Sequence, residues 1–216
     1  MARRLVIRWD DGDKVTARLV APTNSTGTGV LLAHGAGAGQ DHPFMVALRD
    51  ELAALGLIVM TFNYAYTEAG RRAPDRLPKL LTVHKAAADR LAPYCDKVVL
   101  AGKSMGGRVA SHLAGDEGWS AAAMVYYGYP LVPLGKGVPR DTSHLERIDV
   151  PQLFFAGSRD RLSPPAAITP LTETLPQATA EVVPGGDHSF KVPKAVGSRH
   201  DEIIAGLAKS TATWLG

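Results

Sequence analysis

An α/β fold, built as a mostly parallel eight-stranded sheet with helices on both faces, is what this 216-residue sequence predicts. Three observations predict it. Short apolar runs alternate with longer amphipathic segments, the pattern of parallel strands joined by crossover helices. The chain opens with two strand-like segments around Asp10-Asp11-Gly12-Asp13, a hairpin signal because Asp and Gly tolerate positive φ. The run Val98-Val99-Leu100-Ala101 leads through Gly102-Lys103-Ser104-Met105-Gly106 into a helix-like stretch, a sharp strand-to-helix turn.

Taken in order, the expected strands fall at residues 3–9, 15–21, 30–33, 58–63, 98–101, 121–127, 153–156 and 180–183. A Thr/Gly-rich loop at residues 23–29 separates the opening pair from the alternating part. Helices are expected at 44–55, where Met45, Leu48, Leu52 and Leu55 recur at helical spacing, and at 77–91 and 105–113. Two more, at 168–175 and about 198–215, complete the series. Right-handed crossovers would wind the sheet.

With 45% hydrophobic residues and no low-complexity tract, the chain reads as one globular domain over residues 1–216. The basic start is not followed by an apolar segment of signal-peptide length, so export is not expected. The longest apolar stretch, Leu55 to Phe62, falls far short of a membrane span. Cys95 is the only cysteine, which rules out an internal disulfide and fits a reducing cytoplasm. The formal charge of +3 is spread among 21 acidic residues without a basic run, so a nucleic-acid partner is not expected.

The segment Gly102-Lys103-Ser104-Met105-Gly106 carries the chemistry. A turn held in a strained conformation demands small neighbours two residues before and after, and Gly102 and Gly106 meet that demand. It lifts the Ser104 hydroxyl clear of the sheet and aims a helix N-terminus at it. A serine needs a base within hydrogen-bond reach and a carboxylate to orient that base. In the order Ser, Asp, His, the candidates are Asp160, just past Leu153-Phe154-Phe155, and His188, one strand later in Gly185-Gly186-Asp187-His188. All three then cluster at the carboxyl edge of one sheet.

Two backbone donors are needed for an oxyanion hole: Met105, following the nucleophile, and a residue of His34-Gly35-Ala36-Gly37-Ala38-Gly39, with Ala36 first and Gly37 next. Asp187 and Asp96 are the rival acids; both are read as structural, the first because a sequence neighbour points elsewhere, the second because it sits at the wrong strand end. His34 is read as bracing the oxyanion loop. Lys103 is read as a solvated side chain in preference to an anion site, and Cys95 as a packed small side chain. His42, His84, His112, His144 and His200 lack metal-site spacing, so neither metal nor cofactor is expected. Tyr64, Tyr66, Tyr127 and Tyr129 end two strands near the same edge, and with His34 they are the candidates for lining a substrate site. Only about twenty-five residues separate the strand at 121–127 from that at 153–156, too few and too rich in Pro and Gly for a large lid.

With these residues in place, the chain resembles the α/β-hydrolase superfamily over essentially its whole length. A narrower resemblance is to small dienelactone-hydrolase-like proteins of bacteria, with relatives among animal testis-expressed proteins and a subunit of a histone-acetylating complex. It is carried by His34 to Gly39 through Asp41-His42-Pro43-Phe44-Met45, by Lys103-Ser104-Met105-Gly106-Gly107-Arg108, by Tyr129-Pro130-Leu131 and by Gly185-Gly186-Asp187-His188-Ser189-Phe190. The resemblance implies a serine hydrolase acting on small carboxylic esters; thioesterase, peptidase and a non-catalytic scaffold retaining the fold are the alternatives. Dienelactone hydrolases proper use cysteine where this chain has Ser104.

Overall fold

The computed structural model describes residues 2–9, 12–133, 135, 137–193 and 197–216. Its eight strands form one sheet in the order β1-β2-β4-β3-β5-β6-β7-β8, with β1 Arg3–Arg8, β2 Lys14–Val20, β3 Thr28–Ala33, β4 Ile58–Phe62, β5 Lys97–Lys103, β6 Ala123–Tyr127, β7 Gln152–Gly157 and β8 Ala178–Val183. Among the described residues β2 alone runs against the rest: it is antiparallel to both β1 and β4, while β4, β3, β5, β6, β7 and β8 pair in parallel. The expected opening hairpin is present as a strand pair, although Asp10 and Asp11 of its turn signal lie outside the described residues.

Burial follows from pairing. The inner strands β3, β4, β6 and β7 are covered on both faces and read as continuous apolar runs. Alternation divides them between two cores. Leu31, Ala33, Val98 and Leu100 face the side covered by α3 Leu77–Leu91, α4 Met105–Gly115 and α5 Pro165–Thr174. Val30, Leu32, Val99 and Ala101 face the side covered by α1 Pro43–Ala54 and α6 His200–Leu215. Five of the six helices among the described residues match the expected ones within a few residues at each end; α2 Ala65–Glu68, a single turn following Tyr64, is too short for periodicity to show.

The connection from β6 to β7 holds one short 3-10 segment, Ser143–Arg147, and no cap domain among the described residues. The carboxyl edge of the sheet is therefore left open. Among the described residues no helix is long and apolar enough to cross a membrane.

Candidate active site

Ser104 sits between β5 and α4 with φ 51° and ψ −117°. A non-glycine residue held there costs roughly 1–3 kcal/mol, and persists only where surrounding structure fixes it. Several contacts do so. Its amide donates to Tyr127 O at 3.1 Å, tying the turn to β6, and its carbonyl accepts the first helical bond from Arg108 N at 3.1 Å. Gly102 and Gly106 let the backbone fold this tightly: a Cβ on Gly102 would lie 2.2 Å from Gly107 N, and one on Gly106 would lie 2.4 Å from Ala33 O and 2.7 Å from His34 O. The second contact brings α4 and the loop after β3 into direct backbone apposition.

Asp160 and His188 come from the loops after β7 and β8, which are locked together. Gly157 and Gly186 meet so closely that a Cβ on Gly157 would lie 2.3 Å from Gly186 O. Arg159 N donates to Gly186 O at 2.9 Å and Gly185 N to Ser158 Oγ at 2.7 Å. Asp187 shapes the turn beyond, its Oδ1 accepting from Ser189 N at 2.8 Å and Lys191 N at 2.9 Å. Its backbone carbonyl accepts from Phe190 N, and Phe190 carries a φ of 57°.

These loops complete a hydrogen-bonded chain. The His188 Nδ1 lies 2.7 Å from Asp160 Oδ2, and Nε2 lies 2.9 Å from Ser104 Oγ. An ionised carboxylate only accepts, so Nδ1 carries the proton and Nε2 is left to accept from the serine hydroxyl. Asp160 is buried, which on its own would raise its pKa; the His188 hydrogen bond and charge and the amides of Ser163 and Leu162 outweigh that and hold the carboxyl below its usual range. The two amides bind the other oxygen, Oδ1, at 3.0 and 2.8 Å. Asp160, Asp187 and His188 border a shallow hollow of about 250 Å³ with Arg159, Arg161, Leu162 and Ser189.

The loop expected to supply a second oxyanion donor passes beside the serine: a Cβ on Gly35 would lie 3.5 Å from Ser104 Cβ. Ala36 and Gly37 are exposed at its crest, with Gly37 at φ 71°, and Met105 is the first residue of α4. His34 is fully buried. Its Nδ1 contacts Gly35 O at 2.8 Å and its Nε2 accepts from Tyr64 N at 3.2 Å, so the ring ties this loop to the β4–α2 connection and is not exposed to a substrate. Burial lowers its pKa to about 4 against the opposing backbone bond to Gly35, keeping it neutral.

The tyrosines named as lining candidates are corrected in the same way. Tyr64, Tyr66, Tyr127 and Tyr129 are buried, Tyr66 within α2 and the others at or just beyond the ends of β4 and β6. Tyr64 OH meets His84 Nδ1 at 2.9 Å, Tyr127 OH meets Thr211 Oγ1 at 2.8 Å, and Tyr129 OH meets His144 Nε2 at 3.2 Å. Lys103, expected in solvent, is instead half-buried, and its ammonium reaches 3.3 Å from His188 Nε2. Asp96 lies at the opposite end of β5 from Ser104, donating its amide to Gly27 O. Cys95 packs against Gly29, and burial raises its thiol pKa with help from Asp96. Among the described residues no group of three His, Cys, Asp or Glu side chains is placed to hold a metal ion.

An eight-stranded sheet that gathers serine, aspartate and histidine at its carboxyl edge from the loops after β5, β7 and β8, with no cap domain among the described residues, defines the α/β-hydrolase class of protein. The chain belongs to the family described as alpha/beta hydrolase domain, which matches residues 26–216. It is similar to Est1E from Butyrivibrio proteoclasticus with ferulic acid bound, at 17% identity over 98% of each chain and a TM-score of 0.79. A dienelactone hydrolase from Anabaena variabilis is similar at 22% identity, covering 99% of this chain and 96% of the other, with a TM-score of 0.78. A lidless α/β serine hydrolase from Xanthomonas campestris matches at 18% identity, over 97% and 92%, with a TM-score of 0.74.

Proposed function

We propose that the protein is a serine hydrolase of small carboxylic esters. The observation that carries this reading is the Asp160–His188–Ser104 chain, at 2.7 and 2.9 Å, ending on a strained serine. In the proposed mechanism Ser104 Oγ attacks the ester carbonyl while His188 Nε2 takes its proton. The tetrahedral oxyanion is held by the amides of Met105 and Ala36, with Gly37 as the neighbouring donor, at the positive end of α4. His188 returns the proton to the departing alcohol, then activates water against the acyl-enzyme. Asp160 fixes the tautomer throughout. Every step uses groups the chain supplies.

No cap among the described residues covers the approach to Ser104, which favours small or flexible acyl groups, and the esterase domain and dienelactone hydrolase among its structural neighbours support an ester substrate. A single cysteine, neither disulfide-bonded nor near the site, fits a cytoplasmic setting.

Ser104→Ala is expected to lower turnover of short p-nitrophenyl esters by about 10⁶-fold with an unchanged circular dichroism spectrum. Undiminished activity would refute the mechanism. A fluorophosphonate probe separates enzyme from scaffold: labelling of the wild type that vanishes in Ser104→Ala supports the enzyme, and folded wild type that takes no label supports a scaffold. Parallel assays of esters, thioesters and amides of the same acyl group then separate esterase from thioesterase and peptidase, since one such site serves all three.

A further inference from the structure

Lys103 has no part in the steps above, yet its ammonium shares the atom on which they turn. It closes β5 and follows Val99 and Ala101 along one face of that strand. Phe190 belongs to the core on that face, and the ammonium lies 5.8 Å over its ring. Gly128, after β6, leaves the room: a Cβ there would stand 3.3 Å from Lys103 Nζ, 3.4 Å from His188 Cε1 and 3.3 Å from Asp160 Oδ2. A side chain at Gly128 would thus wedge into the space where these three groups converge. Within it, Nζ approaches His188 Nε2 to 3.3 Å, the same nitrogen that Ser104 Oγ approaches to 2.9 Å.

We propose that Lys103 is a positioning residue for the histidine base: its ammonium, held against Nε2, opposes uptake of a solvent proton by the ring, so that Nε2 is unprotonated when Ser104 presents its own proton. The inference rests on the serine-hydrolase reading of the same site. A like charge within about 4–6 Å disfavours the protonated ring. During acyl transfer the penalty is offset, because the proton then arrives together with the negative oxyanion.

The other charges around the ring are consistent with this role. Asp160, from the loop after β7, contacts Nδ1 and favours the cationic ring; Lys103, from β5, faces Nε2 and opposes it. Asp187, on the ring's own loop, has its Oδ1 engaged by the amides of Ser189 and Lys191, and Arg159 and Arg161 border the outer hollow. Burial lowers the Lys103 pKa to about 8, and the charges of Asp160 and Asp187 limit the fall. The side chain is therefore cationic at neutral and acid pH.

The test compares Lys103→Met and Lys103→Gln, which remove the charge, with Lys103→Arg, which keeps it. Gln still donates a hydrogen bond, so it separates charge from bonding. Profiles of kcat/KM against pH for a p-nitrophenyl ester, each normalised to its own plateau, should show the acid limb about one pH unit higher in the Met and Gln variants and unmoved in Arg. Nitrogen-15 NMR titration of the His188 ring in each folded variant should show the same displacement without requiring turnover. Acid limbs and ring titrations that coincide in wild type, Met and Gln overturn the proposal, as does an Arg variant that moves with Met. If wild type hydrolyses no ester, the functional reading fails on its own, and the ring titration still decides the role of Lys103.

Discussion

Gly106→Ala puts the closeness of α4 and the β3 loop to the test. The new methyl would lie 2.4 Å from Ala33 O, 2.7 Å from Ala33 C and 2.7 Å from His34 O. The first distance falls about 0.6 Å short of the 3.0 Å that real Cβ atoms keep, and all three atoms are backbone, so no side chain can turn away to make room. Relief requires that the start of α4 move off the end of β3, or that the loop beginning at His34 move. Either motion separates the Met105 amide from the Ala36 amide, the two donors assigned to the oxyanion. Overpacking of this kind costs about 1–3 kcal/mol, which for a chain of this length lowers Tm by roughly 2–12 °C. A displacement approaching 1 Å between donors costs on the order of 100-fold in rate. The assay is ester hydrolysis alongside thermal unfolding, with Gly206→Ala as the control: Gly206 is exposed within α6, and a Cβ there meets nothing within 4 Å. That control should keep full activity and gain about 0.5–1 kcal/mol from better helix propensity. Gly106→Ala with wild-type Tm and kcat/KM would refute the argument that backbone apposition sets the site.

Asp160→Asn keeps an oxygen for the Leu162 and Ser163 amides, which bind Oδ1, but places an NH₂ opposite His188 Nδ1. The ring must then accept at Nδ1 and carry its proton on Nε2, facing Ser104, so kcat should fall by about 10⁴-fold with little change in Tm; a loss under tenfold would remove Asp160 from its assigned role. Acid should weaken the fold in a defined window. Burial lowers His34 to about 4 and His84 to about 3, both from an ordinary value of 6.5, so between these limits the unfolded chain binds more protons than the native one. Stability is full above pH 6.5 and declines as pH falls toward 4, by about 1 kcal/mol per pH unit for each ring. Urea unfolding midpoints at pH 7 and pH 4.5 measure this, and equal midpoints would contradict the burial of the two neutral rings.

The parts of the site legible in the sequence are those fixed by local rules. Val98 to Ala101 is a buried strand because it is apolar throughout, and Gly102 and Gly106 mark a turn that excludes side chains. The positions of Asp160 and His188 follow from the fact that loops leaving parallel strands all emerge on one edge. Local rules end where burial depends on what lies across the sheet. Tyr64 follows the end of β4; it is buried because His84, from α3, packs beside it with its Nδ1 against the hydroxyl. The network of Gln40, Asn63, Thr16 and Glu68 beneath the oxyanion loop joins four segments of chain, so no spacing in the sequence announces it.

Lys103 is the instructive case, because the sequence did contain the signal. A charged residue beside a loop motif suggests solvent, and the strained turn at Ser104 makes neighbouring directions hard to assign. Yet Lys103 is the last residue of β5, and strand alternation from Val99 and Ala101 carries to it unchanged, since the break in backbone conformation comes one residue later. That face is apolar along its whole length and is roofed at this end by Phe190, two residues beyond His188. A lysine stem on such a face can extend only upward, along the strand direction, and the polar groups it finds there are His188, Asp160 and Asp187. The residue before the nucleophile is thus placed by the strand and not by the turn, and its charge reaches the base by the same geometry that brings Ser104 to it.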